Sequence, residues 1–284
     1  MKPSNFEYVK PKTVSEALEL LGDQGRDAVV LAGGQSLMPT LNMRLSSPEI
    51  LVDINGLDDL AGISVKDKTL RIGALTRHQA IENSLEIEKH APLISLAMPH
   101  IAHPAIRNRG TFGGSIALAD PAAELPACLC ALRADIEVAD RNGSRTISAN
   151  KFFKGLYQTD IKEGELVTAI KIPILETHYV SAFKELARRH GDYAMAGIAA
   201  HAKIDGEVVS DANFCFFAIA ERPVLGVRAA ELLNGRQIDE DIISEAQSSL
   251  EGDLEPIADL NCSSAIKLHY AKELFGRVVR ELVK

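Results

Sequence analysis

The sequence lacks the features that mark several protein classes. No stretch approaches the roughly 20 consecutive apolar residues needed to cross a bilayer, and the start, Met1-Lys2-Pro3-Ser4-Asn5-Phe6-Glu7, has no apolar core of a secretory signal. A cytoplasmic chain without a membrane span is the expectation. Basic residues form no block: 31 Lys and Arg stand against 39 Asp and Glu, a net charge of −8. That balance argues against nucleic acid or an anionic membrane surface as partner and leaves only a few local cations to hold an anionic cofactor. The four cysteines, Cys128, Cys130, Cys215 and Cys262, are too few for a disulfide framework. None forms a Cys-x-x-Cys pair, so the reading is four reduced, packed thiols with no iron–sulfur cluster.

Familiar nucleotide and hydrolase signatures are missing as well. Neither glycine-rich stretch has the Gly-x-Gly-x-x-Gly spacing of a Rossmann site, and no Gly-Lys dipeptide exists to build a P-loop. Gly34-Gln35-Ser36-Leu37-Met38 does not complete a Gly-x-Ser-x-Gly elbow. No general acid or nucleophilic triad stands out, so no catalytic residue is assigned.

What the chain does have is a repeated loop chemistry. Thr111-Phe112-Gly113-Gly114-Ser115 leads through small residues to Ala119-Asp120-Pro121-Ala122-Ala123-Glu124. Paired glycines let backbone approach a ligand with no Cβ in the way, and the flanking hydroxyls add donors, a combination suited to a pyrophosphate. Asp120 and Glu124 could accept from ribose hydroxyls or help start a helix over residues 125–132. Ala32-Gly33-Gly34-Gln35-Ser36-Leu37 offers the same chemistry directly after the apolar run Val29-Val30-Leu31. Taken singly, either loop is as readily an ordinary strand-to-helix connection as a ligand loop. Together they could grip one diphosphate from two sides.

The 284 residues suffice for two or three domains, and 46% hydrophobic with 25% charged residues is ordinary for a globular protein. Periodicity gives an α+β order. A capping box at Thr13-Val14-Ser15-Glu16 opens a helix that Gly22 stops. Strands follow over 28–31 and 50–54, separated by a helical turn in which Leu37, Leu41 and Leu45 recur, its N-terminal dipole facing the phosphate. Residues 62–74 read as a hairpin, Thr76-Arg77-His78-Gln79 as a second capping box, and 91–98 as a helix closed by Pro99. Beyond the central loop come a helix over 125–132, a hairpin turning at Asn142-Gly143 and a strand over 167–172. The pattern resets near Glu176-Thr177-His178. Three strands (179–186, 198–204, 212–219) and helices over 227–233, 239–250 and 264–282 complete the chain.

His100, His103, Arg107, Asn108 and Arg109 crowd together ahead of the central loop. The two histidines lack the third and fourth ligands of a metal motif, so no metal site is assigned. The arginines read either as surface ion-pair partners or, preferably, as organisers of the loop and its anion. Asp160, Glu163 and Glu165 read as solvated surface carboxylates.

The two diglycine loops, with Arg188-Arg189-His190-Gly191-Asp192-Tyr193-Ala194 further on, closely resemble the FAD-binding medium subunit of the molybdenum hydroxylases, such as carbon monoxide dehydrogenase and bacterial xanthine dehydrogenase. The likeness runs over essentially the whole chain; Phe112 departs from the usual isoleucine and should alter only packing behind the loop. It implies a two-lobed FAD-binding domain of the vanillyl-alcohol-oxidase (PCMH) type over 1–176, with lobes of about 1–56 and 57–176, and a C-terminal domain over 177–284 with a three-stranded antiparallel sheet and helices. By similarity, Ala32, Gly33, Gly34, Gln35, Ser36 and Leu37 wrap one side of the FAD diphosphate, and Thr111, Phe112, Gly113, Gly114 and Ser115 the other. Ala119, Asp120 and Glu124 would serve the ribose or adenosine end, and Leu166 or Val167 would meet adenine through backbone. Lys184, Asp192 and Tyr193 would come from the second domain toward the isoalloxazine.

The resemblance further implies a large molybdopterin subunit and a small subunit with two 2Fe–2S clusters, in a dimer of heterotrimers. FAD, one per chain, would collect electrons from the clusters and pass them to an external acceptor such as NAD, oxygen or a quinone. Two other readings compete: a self-sufficient FAD-dependent reductase or oxidase of the same fold, and a binding module whose diglycines are only turns. If the loops grip the cofactor, Gly33→Val or Gly114→Val should abolish FAD retention by placing a branched side chain where the phosphate sits. Absorbance of the purified variants checks this, and full flavin occupancy would refute the loop assignment.

Overall fold

The computed structural model describes residues 2–23, 25–175, 178–206 and 208–284. Three larger sheets carry the chain in order, and Phe153–Gly155 with Gln158–Thr159 forms a separate two-stranded one. The first is parallel, with Ile50–Asp53 between Glu7–Val9 and Ala28–Leu31. Its central strand is buried along its whole length, as a strand covered on both faces must be. The helix Val14–Leu21 lays Ala17 and Leu18 on it. Thr13 caps that helix by accepting from the Glu16 amide at 3.1 Å, and the Glu16 carboxylate accepts from the Lys12 amide at 2.7 Å. The capping box is therefore real, with its return bond one residue further out than the standard pattern.

The second sheet is antiparallel, in the order Ile63–Lys66, Thr69–Gly73, Leu166–Pro173, Asp135–Asp140, Gly143–Ser148. The expected hairpins at 62–74 and around Asn142-Gly143 are both present. The second expected capping box is not: the helix His78–Glu82 has no side-chain cap, because the Thr76 hydroxyl bonds the backbone of Gly62 instead. The helix after the first diglycine is short, Leu37–Asn42. Of its leucine repeat only Leu41 is buried, whereas Leu45 is 72% exposed. Pro99 lies inside a single 3-10 turn, Met98–His100, that follows the helix Pro92–Ala97.

The C-terminal sheet corrects the sequence reading. Tyr179–Ala187, Ala194–Asp205 and Val208–Phe217 form its antiparallel centre, but Val224–Leu225 and Arg236–Gln237 both add to Val208–Phe217, making five strands rather than three. Two-residue strands are too short to leave a period in the sequence. Both faces of this sheet are covered. Ala182, Ile198, Ala200, Phe214 and Phe216 face the helices Val227–Leu233, Glu240–Ser249 and Ser264–Leu282, while Phe183, Ala199, Cys215 and Phe217 join the core of the second sheet. This alternation follows the two-residue period of a strand. Gly197 makes room for it: a Cβ there would lie 2.1 Å from the ring of Phe217, which stacks on Phe183 at 5.6 Å. The helix Glu124–Ala131 is consequently buried on all sides. All four cysteines are free and buried. Among the described residues, no helix is long and apolar enough to cross a membrane.

The sequence boundary at Glu176-Thr177-His178 falls in part on Glu176 and Thr177, outside the described residues. Between the first two sheets a polar clamp holds the chain together. Asn55 Nδ2 donates to the Ala32 carbonyl at 2.8 Å and to the Asp53 carboxylate at 2.6 Å. Arg77 donates to Asn55 Oδ1 at 2.6 Å and, through its other terminal nitrogen, to the Arg109 carbonyl. One side chain thus links the stretch before the first diglycine to the stretch before the second. Arg77→Ala leaves both acceptors without their charged donor, so it should cost about 2 kcal/mol in thermal or urea unfolding; a loss below about 0.5 kcal/mol would show that the clamp contributes nothing.

Candidate functional site

The two diglycine loops meet. A Cβ built on Gly33 would stand 2.5 Å from the Arg109 carbonyl oxygen and 2.9 Å from the Gly110 Cα, so only glycine lets the first loop rest against the approach to the second. Both line one cavity of about 610 Å³, a volume typical of a cofactor-sized site. Every residue assigned from the sequence lines it except Phe112, Ala119 and Lys184.

Each exception has a local cause. Phe112 is fully buried in the core of the second sheet, so its side chain supports the loop from behind. Ala119 takes the left-handed conformation that ends the helix Phe112–Leu118, with φ of 52°, and its amide closes that helix on the Ser115 carbonyl. It turns the chain without reaching the cavity. Lys184 lies on the C-terminal sheet, where its ammonium pairs with Glu281 of the last helix.

The two loops present different chemistry. Among the described residues, the backbone N–H groups of Gly33, Gly34, Gln35, Ser36 and Leu37 make no hydrogen bond within the protein. Gly34 reaches its position with φ of +71°, a conformation glycine takes at no steric cost. Unpaired amides on a turn are donors suited to an anion. The helix behind them has only six residues, so these amides, and not a long helix dipole, make up the donor set. In the second loop the amides of Phe112 and Gly113 are already taken, donating to the carbonyls of Thr76 at 2.9 Å and Ala74 at 2.8 Å. The Gly114 amide donates to Thr111 Oγ1 at 3.2 Å. The second diglycine therefore permits close packing: a Cβ on Gly113 would meet Ala74 Cβ at 2.5 Å, and one on Gly114 would meet Thr111 Oγ1 at 2.7 Å. This changes the reason given above for the valine variants. At Gly33 even alanine collides with the backbone of Arg109 and Gly110, which forces the loops apart, and at Gly114 a Cβ crowds the Thr111 hydroxyl, both before any ligand is met.

Among the described residues, no Lys or Arg lines the cavity, and the charged groups that do are Asp120, Glu124, Glu165 and Asp192. The cations expected to organise the loop act elsewhere. Arg107 is buried and makes two bonds to Glu82, at 2.8 and 3.0 Å, and one to the Ile101 carbonyl at 3.0 Å. Arg109 is exposed and contributes its carbonyl to the clamp. Glu165 is not a solvated surface acid: its side chain is 7% exposed and accepts from Arg145 at 2.6 and 2.8 Å. Asp120 accepts from the Ala122 amide at 2.9 Å, shaping the turn that delivers Glu124. Leu166 and Val167 enter the cavity wall at a strand irregularity between Val167 and Ala169. Gly191, Asp192 and Tyr193 come from the C-terminal unit; Gly191 has φ of +81°, and a Cβ on it would lie 2.5 Å from the Ala102 carbonyl. Tyr193 stands 71% exposed at the cavity edge.

Among the described residues, no group of three or more His, Cys, Asp or Glu is placed to hold an ion around the histidine pair. His100 Nδ1 instead lies 3.1 Å from Glu185 Oε1. Glu185 was not singled out in the sequence, since an acid in an alternating strand reads as a solvent-facing position. Its side chain is 4% exposed and its second oxygen has no partner. Burial raises its carboxyl to about 8, with the charge of Glu124 adding to the effect. Glu124 is itself raised to about 7, by burial first and then by Asp120. Both groups hold protons in the folded chain that they release when unfolded, so their contribution is complete below about pH 4.5 and fades as pH rises through 7 to 8. In the flavin-free protein, Glu124→Gln and Glu185→Gln should each flatten the loss of stability between pH 5 and pH 8 by about 2 kcal/mol. Chemical denaturation across that range measures it, and an unchanged slope would show these acids to be ionised throughout.

Comparison with known proteins places this cavity in context. Residues 4–175 match the family described as the FAD binding domain in molybdopterin dehydrogenase, and residues 181–282 the CO dehydrogenase flavoprotein C-terminal domain. The chain is 39% identical to the 6-hydroxypseudooxynicotine dehydrogenase complex subunit alpha of Paenarthrobacter nicotinovorans, over 98% of this chain and 95% of that one. It is 35% identical to the glyceraldehyde dehydrogenase medium chain of Sulfolobus acidocaldarius, over 99% and 100%. Among solved structures, a carbon monoxide dehydrogenase from Hydrogenophaga pseudoflava superposes with a TM-score of 0.95 at 35% identity, covering 99% of this chain and 98% of that one.

Proposed function

The chain belongs to the family of FAD-binding medium subunits of the molybdopterin dehydrogenases, and from that premise we propose that its cavity seats FAD for electron transfer inside a larger oxidoreductase. The flavin would supply the redox chemistry, taking electrons singly and giving them up in pairs. The observation that carries the reading is the contact of Gly33 with Arg109 and Gly110, which brings both diglycine loops to one cofactor-sized cavity.

Within this reading the residues divide by chemistry. The free amides from Gly33 to Leu37 would hold the diphosphate. The Thr111 hydroxyl, whose oxygen already accepts from Gly114, keeps its hydrogen to donate. Glu124 and Asp120 would accept from sugar hydroxyls, and the backbone at Leu166 and Val167 would border the adenine. Gly191, Asp192 and Tyr193 would flank the isoalloxazine from the C-terminal unit. Lys184, tied to Glu281, would support that unit and not touch the ring.

The rest of the assembly belongs to the same proposal: a two-lobed domain of the vanillyl-alcohol-oxidase type over 1–176, a C-terminal domain over 177–284, and a cytoplasmic complex. The molybdopterin cofactor and two 2Fe–2S clusters would reside on a large and a small partner subunit, in a dimer of heterotrimers. The four buried free cysteines agree with a reducing compartment and leave no cluster ligands exposed here. The purified complex should contain one FAD for each copy of this chain. The chain separated from its partners should keep a reducible flavin yet oxidise no organic substrate. Independent turnover with reduced nicotinamide would instead favour a self-sufficient reductase, and a colourless chain in the complex would defeat the proposal.

A further inference from the structure

One edge of the cavity carries exposed apolar and aromatic side chains that the binding of FAD leaves unused. Phe153–Gly155 and Gln158–Thr159 pair as a hairpin whose two-residue turn is Leu156-Tyr157. Tyr157 takes a left-handed backbone, with φ of 53°, and both turn residues stand out from the surface, Leu156 51% and Tyr157 56% exposed. The turn is held firmly from below. Phe153 is buried in the core of the second sheet, Lys154 pairs with Asp160 at 3.2 Å, and the Asp160 amide donates to the Phe152 carbonyl at 2.8 Å.

Single exposed apolar residues are ordinary on a protein surface, but this turn joins a residue of the C-terminal unit. The Tyr157 hydroxyl donates to Asp120 Oδ2 at 3.5 Å, and Asp120 lines the cavity together with Tyr193. Partial burial raises the pKa of both phenols, and Asp120 raises both further; Tyr193 is raised by Tyr157 as well, as befits two phenols flanking one carboxylate. Two aromatic faces from different units thus stand exposed beside the cavity.

The polar groups at this edge select what can sit there. The free amides from Gly33 to Leu37 form a donor set for a diphosphate, and FAD takes it. Around the tyrosines, the charged lining residues are Asp120 and Asp192; Arg188 and Arg189 are exposed just ahead of that loop but are not among the lining residues. A second anionic dinucleotide would meet carboxylates. An uncharged planar ring avoids that repulsion and packs well against aromatic faces.

We propose that Tyr157 and Tyr193, with Leu156 beside them, form the docking edge for the electron acceptor of the flavin, an uncharged planar molecule of the quinone class. The inference rests on the cavity being the FAD site. The two carbonyl oxygens of the quinone gain two electrons and two protons and become hydroxyls, as the reduced flavin loses the same two electrons and two protons.

The test uses the purified complex, reduced with dithionite, freed of excess reductant under anaerobic conditions, and mixed rapidly with a short-chain ubiquinone, with NAD or with ferricyanide while flavin absorbance is followed. In the wild type, reoxidation by the quinone should saturate, and NAD should not reoxidise the flavin. Tyr157→Asn removes the ring and keeps a residue that accepts the left-handed backbone, so it should raise the quinone concentration for half-saturation about three- to tenfold. Leu156→Ser should raise it less, and it serves as the second variant should Tyr157→Asn disturb folding. FAD content and the rate with ferricyanide, which needs no aromatic seat, should not change in either. A rate that stays linear in quinone, an unchanged half-saturation in the variants, or saturable reoxidation by NAD would overturn the inference while leaving the FAD site intact. A wild-type complex without FAD would overturn both.

Discussion

The close approach of Gly33 to Arg109 and Gly110 is the constraint on which the rest of the site depends. Two loops nearly eighty residues apart in sequence, one following the strand Ala28–Leu31 and the other opening the helix Phe112–Leu118, meet although nothing local to either brings them together. Their meeting rests on three conditions: a residue without a Cβ at position 33, an Asn55 that holds the Ala32 carbonyl, and an Arg77 that spans Asn55 and the Arg109 carbonyl. A guanidinium suits this last role because its planar fork can serve two acceptors in fixed directions. With the junction closed, the unpaired amides of residues 33–37 face a shared cavity and not a free surface loop.

The electrostatics of that cavity are unusual for an anion site. Three nearby arginines are committed elsewhere: Arg107 to Glu82, Arg145 to Asp160 and Glu165, Arg77 to the clamp. The lining itself offers amides, hydroxyls and acids. Backbone dipoles fixed by the fold can stabilise a diphosphate at little reorganisation cost, and they do so without a cation that would also stabilise added electron density on a flavin. Burial raises the lining acid Glu124 and, behind it, Glu185, which limits the negative charge these two carboxyls bring to the site.

The C-terminal unit is more than an appendage. One face of its sheet completes the core behind the helix Glu124–Ala131, and Gly191 reaches the cavity through contact with Ala102. Because the same helix begins at Glu124 and is buried along its length, packing against the C-terminal sheet positions a cavity residue directly. The two matched family regions are therefore one structural unit at the site.

By itself the sequence determined most elements, because hydrophobic period, caps and turn residues are local: the helices Val227–Leu233 and Ser264–Leu282 lie where periodicity places them. It also identified both loops, since paired glycines beside hydroxyls are visible in a row of letters, and the likeness to a known family supplied their partners in the cavity. Tertiary structure alone decided what depends on distant neighbours. Thr76 left its expected capping role for Gly62, Lys184 was drawn to Glu281, and two short strands joined the C-terminal sheet. Glu185 carried no signal, because an isolated glutamate in sequence has no burial and no partner. Its unpaired oxygen exists only once other segments have closed around it and taken water away. The physical divide is between propensities that act over a few residues and desolvation, which only the assembled fold imposes.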